Sequence, residues 1–255
     1  MAYKICQALF STNRIDYLTR TLKAQQNLDF RHREVTKIFF DDYPTGRNNR
    51  MVDMLAHAYG YEVRKLHHLN QGITRTWQEL FNFVNEQGFD YIWHQEDDTE
   101  ITQPVKVIDL IEMLQDDPTL SQIQLKRNNW YPWETEPIGP REDDKIIGNW
   151  RMERGNPYFW MMSALYPAWV AKEPILETTG ANPSECTVAN WMLDKYGKTV
   201  GLVKSAEGNI MVNHIGQYTR GTKLLENEPG WEMFKHKDPS IDYDSQTGEY
   251  WNNNA

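Results

Sequence analysis

Residues 96–98 read Glu96-Asp97-Asp98, an acidic triplet at the end of the short apolar run 91–94. Three adjacent carboxylates repel phosphate unless a hard divalent cation takes carboxylate and phosphate oxygens together, as Mg2+ and Mn2+ do. Bridged in that way, an acidic cluster becomes a diphosphate site, and the cation stabilises charge that builds on a leaving diphosphate. Two further polar clusters follow apolar runs in the same manner. Ser11-Thr12-Asn13 follows 5–10, and Asp41-Asp42-Tyr43 follows 35–40. An isolated acidic triplet is most often a solvated turn. At the end of a buried strand, beside two other polar strand ends, the metal reading becomes the better one.

The elements that must carry these clusters alternate in type. Runs 5–10, 35–40, 61–66 and 91–94 read as strands. Between them come helical patterns: Ile15, Leu18 and Leu22; Met51, Met54, Leu55 and Ala58; then Ile73, Trp77, Leu80, Phe81 and Val84. Asn13 reads as an N-cap with Asp16 three residues on. This β-α-β rhythm predicts an α/β fold with a mostly parallel central sheet and helices on both faces. In such sheets ligands bind at the carboxyl ends of the strands, where all three clusters then lie. The second half is less regular. A helix is expected from Pro104 to about Asp117, a strand over 122–126, a long loop over 128–156, an aromatic-rich strand over 158–166, a helix over 183–196 stopped by Gly197, and short strands over 199–203 and 210–213. After residue 216 the pattern fades.

Bulk properties narrow the class. With 255 residues, 40% apolar and 25% charged, the chain can bury a core as one domain. Net charge is −9, which argues against a large electrostatic nucleic-acid footprint. The charge is uneven, +5 over residues 1–75 and −10 over 76–118. Cys6 and Cys186 make no disulfide framework. The start lacks a signal-peptide pattern, and the longest apolar stretch, 158–171, is too short for a bilayer and contains Pro167. A cytoplasmic protein without membrane partners is expected. Neither a G-x-G-x-x-G fingerprint nor a Walker loop follows the first strand.

The motifs together resemble GT-A-fold nucleotide-sugar glycosyltransferases, in particular the large inverting family 2. Asn13-Arg14-Ile15-Asp16-Tyr17-Leu18 is similar to that family's N-R-x-x-Y-L stretch. Ile38-Phe39-Phe40-Asp41-Asp42 is similar to its V-V-D-D strand, Asn70-Gln71-Gly72 to its N-x-G loop, and Phe89-Asp90-Tyr91-Ile92 with Glu96-Asp97-Asp98 to G-D-Y-I and the D-x-D motif. The likeness is clear over residues 4–102 and weak beyond. It implies donor contacts from Ser11 and Asp42 to nucleobase and ribose, a place for Glu96 at the ribose or a metal water, and Asp98 as the direct ligand of Mn2+ or Mg2+. Asn13, Asn70 and Asp97 complete the implied donor set. Two departures stand out. Glu96 replaces the first Asp of the motif, and Trp77 stands where the family often has an Arg, a loss that Arg75 is placed to offset. Many related enzymes supply a late His to the metal, and His214 is the candidate here. Arg220 and Lys223 are candidates for a lid over the diphosphate, or belong to an ordinary solvated loop.

Inverting transfer needs a base for the acceptor hydroxyl. The resemblance places it near a helix start in the acceptor half, where Glu185 stands. Glu185 equally fits a capping box with Asn182. His94 and Glu153 are weaker candidates. Arg127, Trp130, Trp133 and Trp160 are expected to face the acceptor. The chain is read as one domain, with a donor half over 1–102, an acceptor and catalytic half over 103–216, and a lid or tail over 217–255. The expected donor is a nucleotide-diphosphate sugar, UDP-linked by preference. The acceptor is a hydroxyl on a glycan or on a modified DNA base, the latter from a likeness to small phage-encoded transferases. A non-catalytic nucleotide- or carbohydrate-binding module and a sugar nucleotidyltransferase on the same fold are the alternatives.

Overall fold

The computed structural model describes residues 3–12, 14–31, 33–42, 49–66, 73–127, 145–156, 162–173, 185–215, 241–244 and 249–252. The first half runs β1 (Lys4–Ser11), α1 (Ile15–Ala24), β2 (Leu28–Asp29), β3 (Glu34–Asp41), α2 (Asn49–Ala58), β4 (Glu62–Lys65), α3 (Ile73–Gln87) and β5 (Tyr91–Glu96). Then come β6 (Thr99–Ile101), β7 (Val105–Lys106), α4 (Val107–Asp116), β8 (Leu120–Leu125), β9 (Lys145–Ile147), β10 (Trp150–Asn156) and β11 (Ala164–Pro167). The chain continues through α5 (Glu185–Tyr196), β12 (Thr199–Ser205), β13 (Val212–His214), β14 (Ile241–Asp244) and β15 (Glu249–Asn252).

Nine strands form one sheet in the order β4-β3-β1-β5-β11-β8-β12-β10-β9. Strands β4, β3, β1 and β5 are mutually parallel, so Ser11, Asp41 and Glu96 end on one edge as the sequence predicts. Residues 5–11 of β1 are all buried, as a central parallel strand requires when helices cover both faces. Strand alternation divides its side chains. Cys6, Ala8 and Phe10 join Trp77, Leu80, Phe81 and Val84 of α3 in one cluster, while Leu9 packs with Leu18, Leu22 and Phe39 in another. A third cluster places Leu110, Ile111 and Leu114 of α4 against Trp93, Ile123, Leu165 and Met152. Gly197 closes α5 at φ +62, donating its N–H to Leu193 O at 2.8 Å, the left-handed cap expected of it.

The second half departs from expectation. The segment read as a long loop over 128–156 contains β9 and β10 among its described residues. β10 alternates buried Trp150 and Met152 with Arg151 and Glu153, and pairs antiparallel with β12. The aromatic-rich strand is described only as Ala164–Pro167, and it runs antiparallel between β5 and β8. α4 opens at Val107, not Pro104, because Val105–Lys106 pairs with Leu28–Asp29 first. Past residue 216, where the pattern fades, β14 and β15 pair as an antiparallel ladder.

Candidate functional site

The acidic triplet sits on a tight turn between β5 and β6. Asp97 N–H donates to Phe10 O at 2.9 Å, which docks the turn beside β1. Thr99 Oγ1 donates to Glu96 O at 2.9 Å, and Gln95 Nε2 to Thr99 O at 2.9 Å. The late strand β13 pairs antiparallel with β6, placing His214 opposite Thr99, while Ile215 N–H donates to Asp98 O at 2.8 Å. Glu96, Asp98 and His214 thereby bring one ligand atom each within 4.8 Å of one another.

The two aspartates do different things. Asp97 is fully buried at the junction of β1 and α1. One of its oxygens accepts Ser11 Oγ at 2.6 Å and Thr12 N–H at 3.3 Å; the other accepts from Arg14. Thr21 Oγ1 adds a bond to Asp97 O at 2.7 Å. Asp97 and Ser11, both expected at the donor, are thus engaged with each other under α1. Asp98 gives Oδ2 to Arg14 Nη1 at 2.7 Å. Its Oδ1 is buried without a hydrogen-bond partner, and His214 Nε2 stands 3.3 Å away without hydrogen-bond alignment. Cis ligands of an octahedral cation with ~2.1 Å bonds stand ~3 Å apart, so these two atoms fit a hard divalent ion; Glu96 offers a third ligand atom within 4.8 Å of both.

Charge follows this division. Burial pushes the Asp98 carboxyl up, but Arg14 and His214 outweigh it and hold it well below the usual carboxylate range. Burial raises Asp97, against the pull of Arg14 and Ser11 and with the charge of Asp98 beside it. Burial, with Arg127 and Arg14 nearby, lowers His214 to about 4 against the pull of Asp98, so the ring is neutral at pH 7.

Other expected residues fall elsewhere. Asp42 is buried at the tip of β3, its N–H bonded to Ser11 O at 2.9 Å, beside the turn as expected. Arg75 lies on the exposed surface of α3, paired with Glu79 at 2.7 Å and with Gln78 at 3.0 Å on its own helix. Trp77 is 2% exposed and packs in the core. Arg127, expected in an acceptor groove, is 6% exposed and donates to His214 Nδ1 at 2.9 Å, drawn inward by the bridge between Arg127 and Val212.

Of the weaker base candidates, His94 is fully buried between Phe10 and Trp77, with ring centroids at 4.4 and 4.5 Å. Burial lowers it to about 3 against a raising influence of the Met162 main chain, and no acceptor reaches it there. Glu153 is clamped by Lys126 at 2.8 Å and Lys204 at 2.5 Å, which outweigh its burial and hold it charged; a carboxylate so neutralised is a poor base. Glu185 is the first residue of α5, its side chain outside the described set. Asn13, Asn70, Trp130, Trp133, Trp160, Arg220 and Lys223 lie outside the described residues. Sequence reasoning gave Arg14 no role of its own. Its signal was the need of two buried carboxylates for a cation close by.

No family model and no curated protein matches the sequence. Among solved structures the chain is similar to S. aureus TarS residues 1–349, with TM-score 0.53 and 12% identity over 84% of this chain and 61% of that one. The same TarS fragment in complex with UDP-GlcNAc matches with TM-score 0.53 and 12% identity over 82% and 58%. The mannosyltransferase PcManGT from Pyrobaculum calidifontis, in complex with GDP-Man and Mn2+, matches with TM-score 0.52 and 10% identity over 79% and 57%. The chain spans about three fifths of the length of these structures. Among the described residues nine strands, parallel at the tips that carry the acidic turn and flanked by helices, give this protein a GT-A fold shared with these structures.

Proposed function

We propose that the protein is a metal-dependent transferase that moves a sugar, with inversion, from a nucleotide-diphosphate donor to an acceptor hydroxyl. The observation that carries this reading is the convergence of Glu96, Asp98 and His214 at the tips of parallel strands, with a buried Asp98 oxygen left without a hydrogen bond. The UDP-GlcNAc and the GDP-Man with Mn2+ held by the two neighbours support it. Bound there, Mn2+ or Mg2+ would neutralise the donor diphosphate and stabilise it as a leaving group.

The chain's own residues supply the rest. Asp98, His214 and Glu96 hold the cation, and Arg14 fixes the orientation of Asp98 through its second oxygen. Asp42 reads the nucleobase edge from the tip of β3. Asn13, Asn70, Arg220 and Lys223 complete the donor site, and residues 1–102 form the donor half. Glu185, opening α5 in the acceptor half, removes the acceptor proton. Trp130, Trp133 and Trp160 stack on the acceptor, whose hydroxyl lies on a glycan or on a modified DNA base.

A thermal-shift series with UDP, GDP and their sugars, with and without Mn2+, tests this. Ligand at 100 Kd stabilises the native state by about 2.7 kcal/mol, so the matching donor raises Tm with Mn2+ and not with chelator. Slow Mn2+-dependent hydrolysis of that donor separates an enzyme from a binding module. A series in which no nucleotide sugar shifts Tm with Mn2+ present ends the proposal.

A further inference from the structure

Arg127 donates to Nδ1 of His214 at 2.9 Å, and a guanidinium has only N–H donors to offer. Nδ1 is therefore the accepting nitrogen, and in the neutral ring the proton sits on Nε2. Nε2 is also the nitrogen that stands 3.3 Å from Asp98 Oδ1. A protonated Nε2 has no lone pair for a cation. Histidines that ligate through one nitrogen ordinarily donate the other N–H to a carbonyl or carboxylate, and Arg127 presents the opposite polarity at that position. This arrangement thus holds His214 in the tautomer that a cation at Nε2 forbids.

We propose that Arg127 and the cation compete for His214: capture of the cation at Nε2 moves the ring proton to Nδ1 and expels the Arg127 guanidinium. The ring's charge is unchanged, since Nε2 releases one proton to solvent and Nδ1 takes one up. The backbone decides which partner moves. His214 is held by the pairing of β13 with β6 and by Ile215 N–H on Asp98 O, while Arg127 reaches it with a long side chain from the end of β8. Expulsion releases from His214, as the cation loads, a permanently charged planar fork, the group best suited to a phosphate oxygen pair. Arg127 is in this account a positioning residue that couples cation loading to anion capture. The inference rests on the metal-dependent reading above.

The direct test is the tautomer itself. Two-bond 15N–1H spectra of the uniformly 15N-labelled wild-type protein report which nitrogen of His214 carries the proton, first without metal and then with diamagnetic Mg2+. Nε2 protonated alone and Nδ1 protonated with Mg2+ is the expected pair. Nδ1 protonated without metal, or no exchange on Mg2+ binding, overturns the proposal.

Mn2+ affinity, read by electron paramagnetic resonance, supplies the second arm. Arg127→Gln offers Nδ1–H a carbonyl acceptor and should bind Mn2+ about tenfold tighter, the low end of effects from partners of metal ligands. Arg127→Lys keeps a cationic donor and should stay close to wild type. If wild type binds Mn2+ and Arg127→Gln binds it equally or more weakly, Arg127 merely props the ring and the competition is refuted. If neither binds Mn2+, the metal-dependent reading falls with it. The wild-type spectra need no variant to fold.

Discussion

The two sides of the acidic turn use the same side chain for opposite ends. On the α1 side, Asp97 has each oxygen filled, by Ser11 and Thr12 N–H and by Arg14. On the β13 side, Asp98 has one oxygen on Arg14 and the other left facing His214. The turn is pinned on both sides, by Asp97 N–H on Phe10 O and by Ile215 N–H on Asp98 O, so one carboxylate enters the junction under α1 and the next faces β13. The lesson is that an acidic motif is only as functional as the acceptors it leaves unused. A filled carboxylate is a piece of architecture. A buried oxygen without a hydrogen bond is costly, and beside a second ligand atom it offers a place for a cation.

Removing the filled carboxylate should give the largest effect. Asp97→Ala takes from Arg14 one of its two buried aspartates and from Ser11 Oγ its acceptor, and breaking a buried pair costs about 3–5 kcal/mol. In a chain of this size that lowers Tm by roughly 10 °C. Asp98→Asn is the contrasting case. The amide oxygen still accepts from Arg14 and the like charge beside Asp97 is gone, so calorimetry should find Tm within a few degrees of wild type. Donor turnover with Mn2+ should fall by about 10²–10³-fold, the scale for losing one electrostatic element of a catalytic site. If the two variants exchange phenotypes, the assignment of architecture and site to the two carboxylates is reversed.

How much of this was written in the sequence depends on the kind of contact. Strands β1, β3 and β5 are buried on both faces, so each is a continuous apolar run ending in polar residues, and the shared edge could be read directly. β10 could not, because its outward Glu153 finds its counter-charges in Lys204 of β12 and in Lys126 beyond β8, both far along the chain. The antiparallel entry of β11 between β5 and β8 leaves no local mark either. At the site, the acidic motif flagged the turn, and the resemblance offered the late histidine as a candidate. Nothing local separates Asp97 from Asp98, or tells that Arg127 turns inward, since both follow from pairings between distant strands.

His94 extends the comparison to the body of β5, where a polar ring is buried among Phe10 and Trp77 instead of at a junction. Burial lowers it from 6.5 to about 3, so the unfolded chain binds a proton at pH 4.5 that the native state refuses. Its contribution is neutral above pH 6.5 and turns against the native state as pH falls from there toward 3, at 1.36 kcal/mol per unit. Between pH 7 and pH 4.5 His94 should cost about 2–3 kcal/mol of stability. Urea unfolding of His94→Phe, measured against wild type at both pH values, should show a smaller acid loss by about that amount. Equal losses in the two proteins would mean that the ring takes up its proton without leaving its aromatic box.

The smallest effect is expected where an arginine pairs in the open. Arg14 holds two buried carboxylates, whereas Arg75 meets Glu79 with its side chain about half exposed. Exposed pairs one helical turn apart contribute about 0.3–0.5 kcal/mol, because water screens the charges and two long side chains lose freedom to meet. Arg75→Ala should therefore change Tm by about 1–2 °C, and less still in high salt. The resemblance gave Arg75 a second task, to replace a donor-gripping arginine lost at Trp77. The structure has Arg75 facing its own helix, so the KM for the nucleotide sugar should stay within about twofold of wild type, under 0.5 kcal/mol. A tenfold rise in KM at unchanged Tm would mean that the Glu79 pair opens when the donor arrives, and would return Arg75 to the diphosphate.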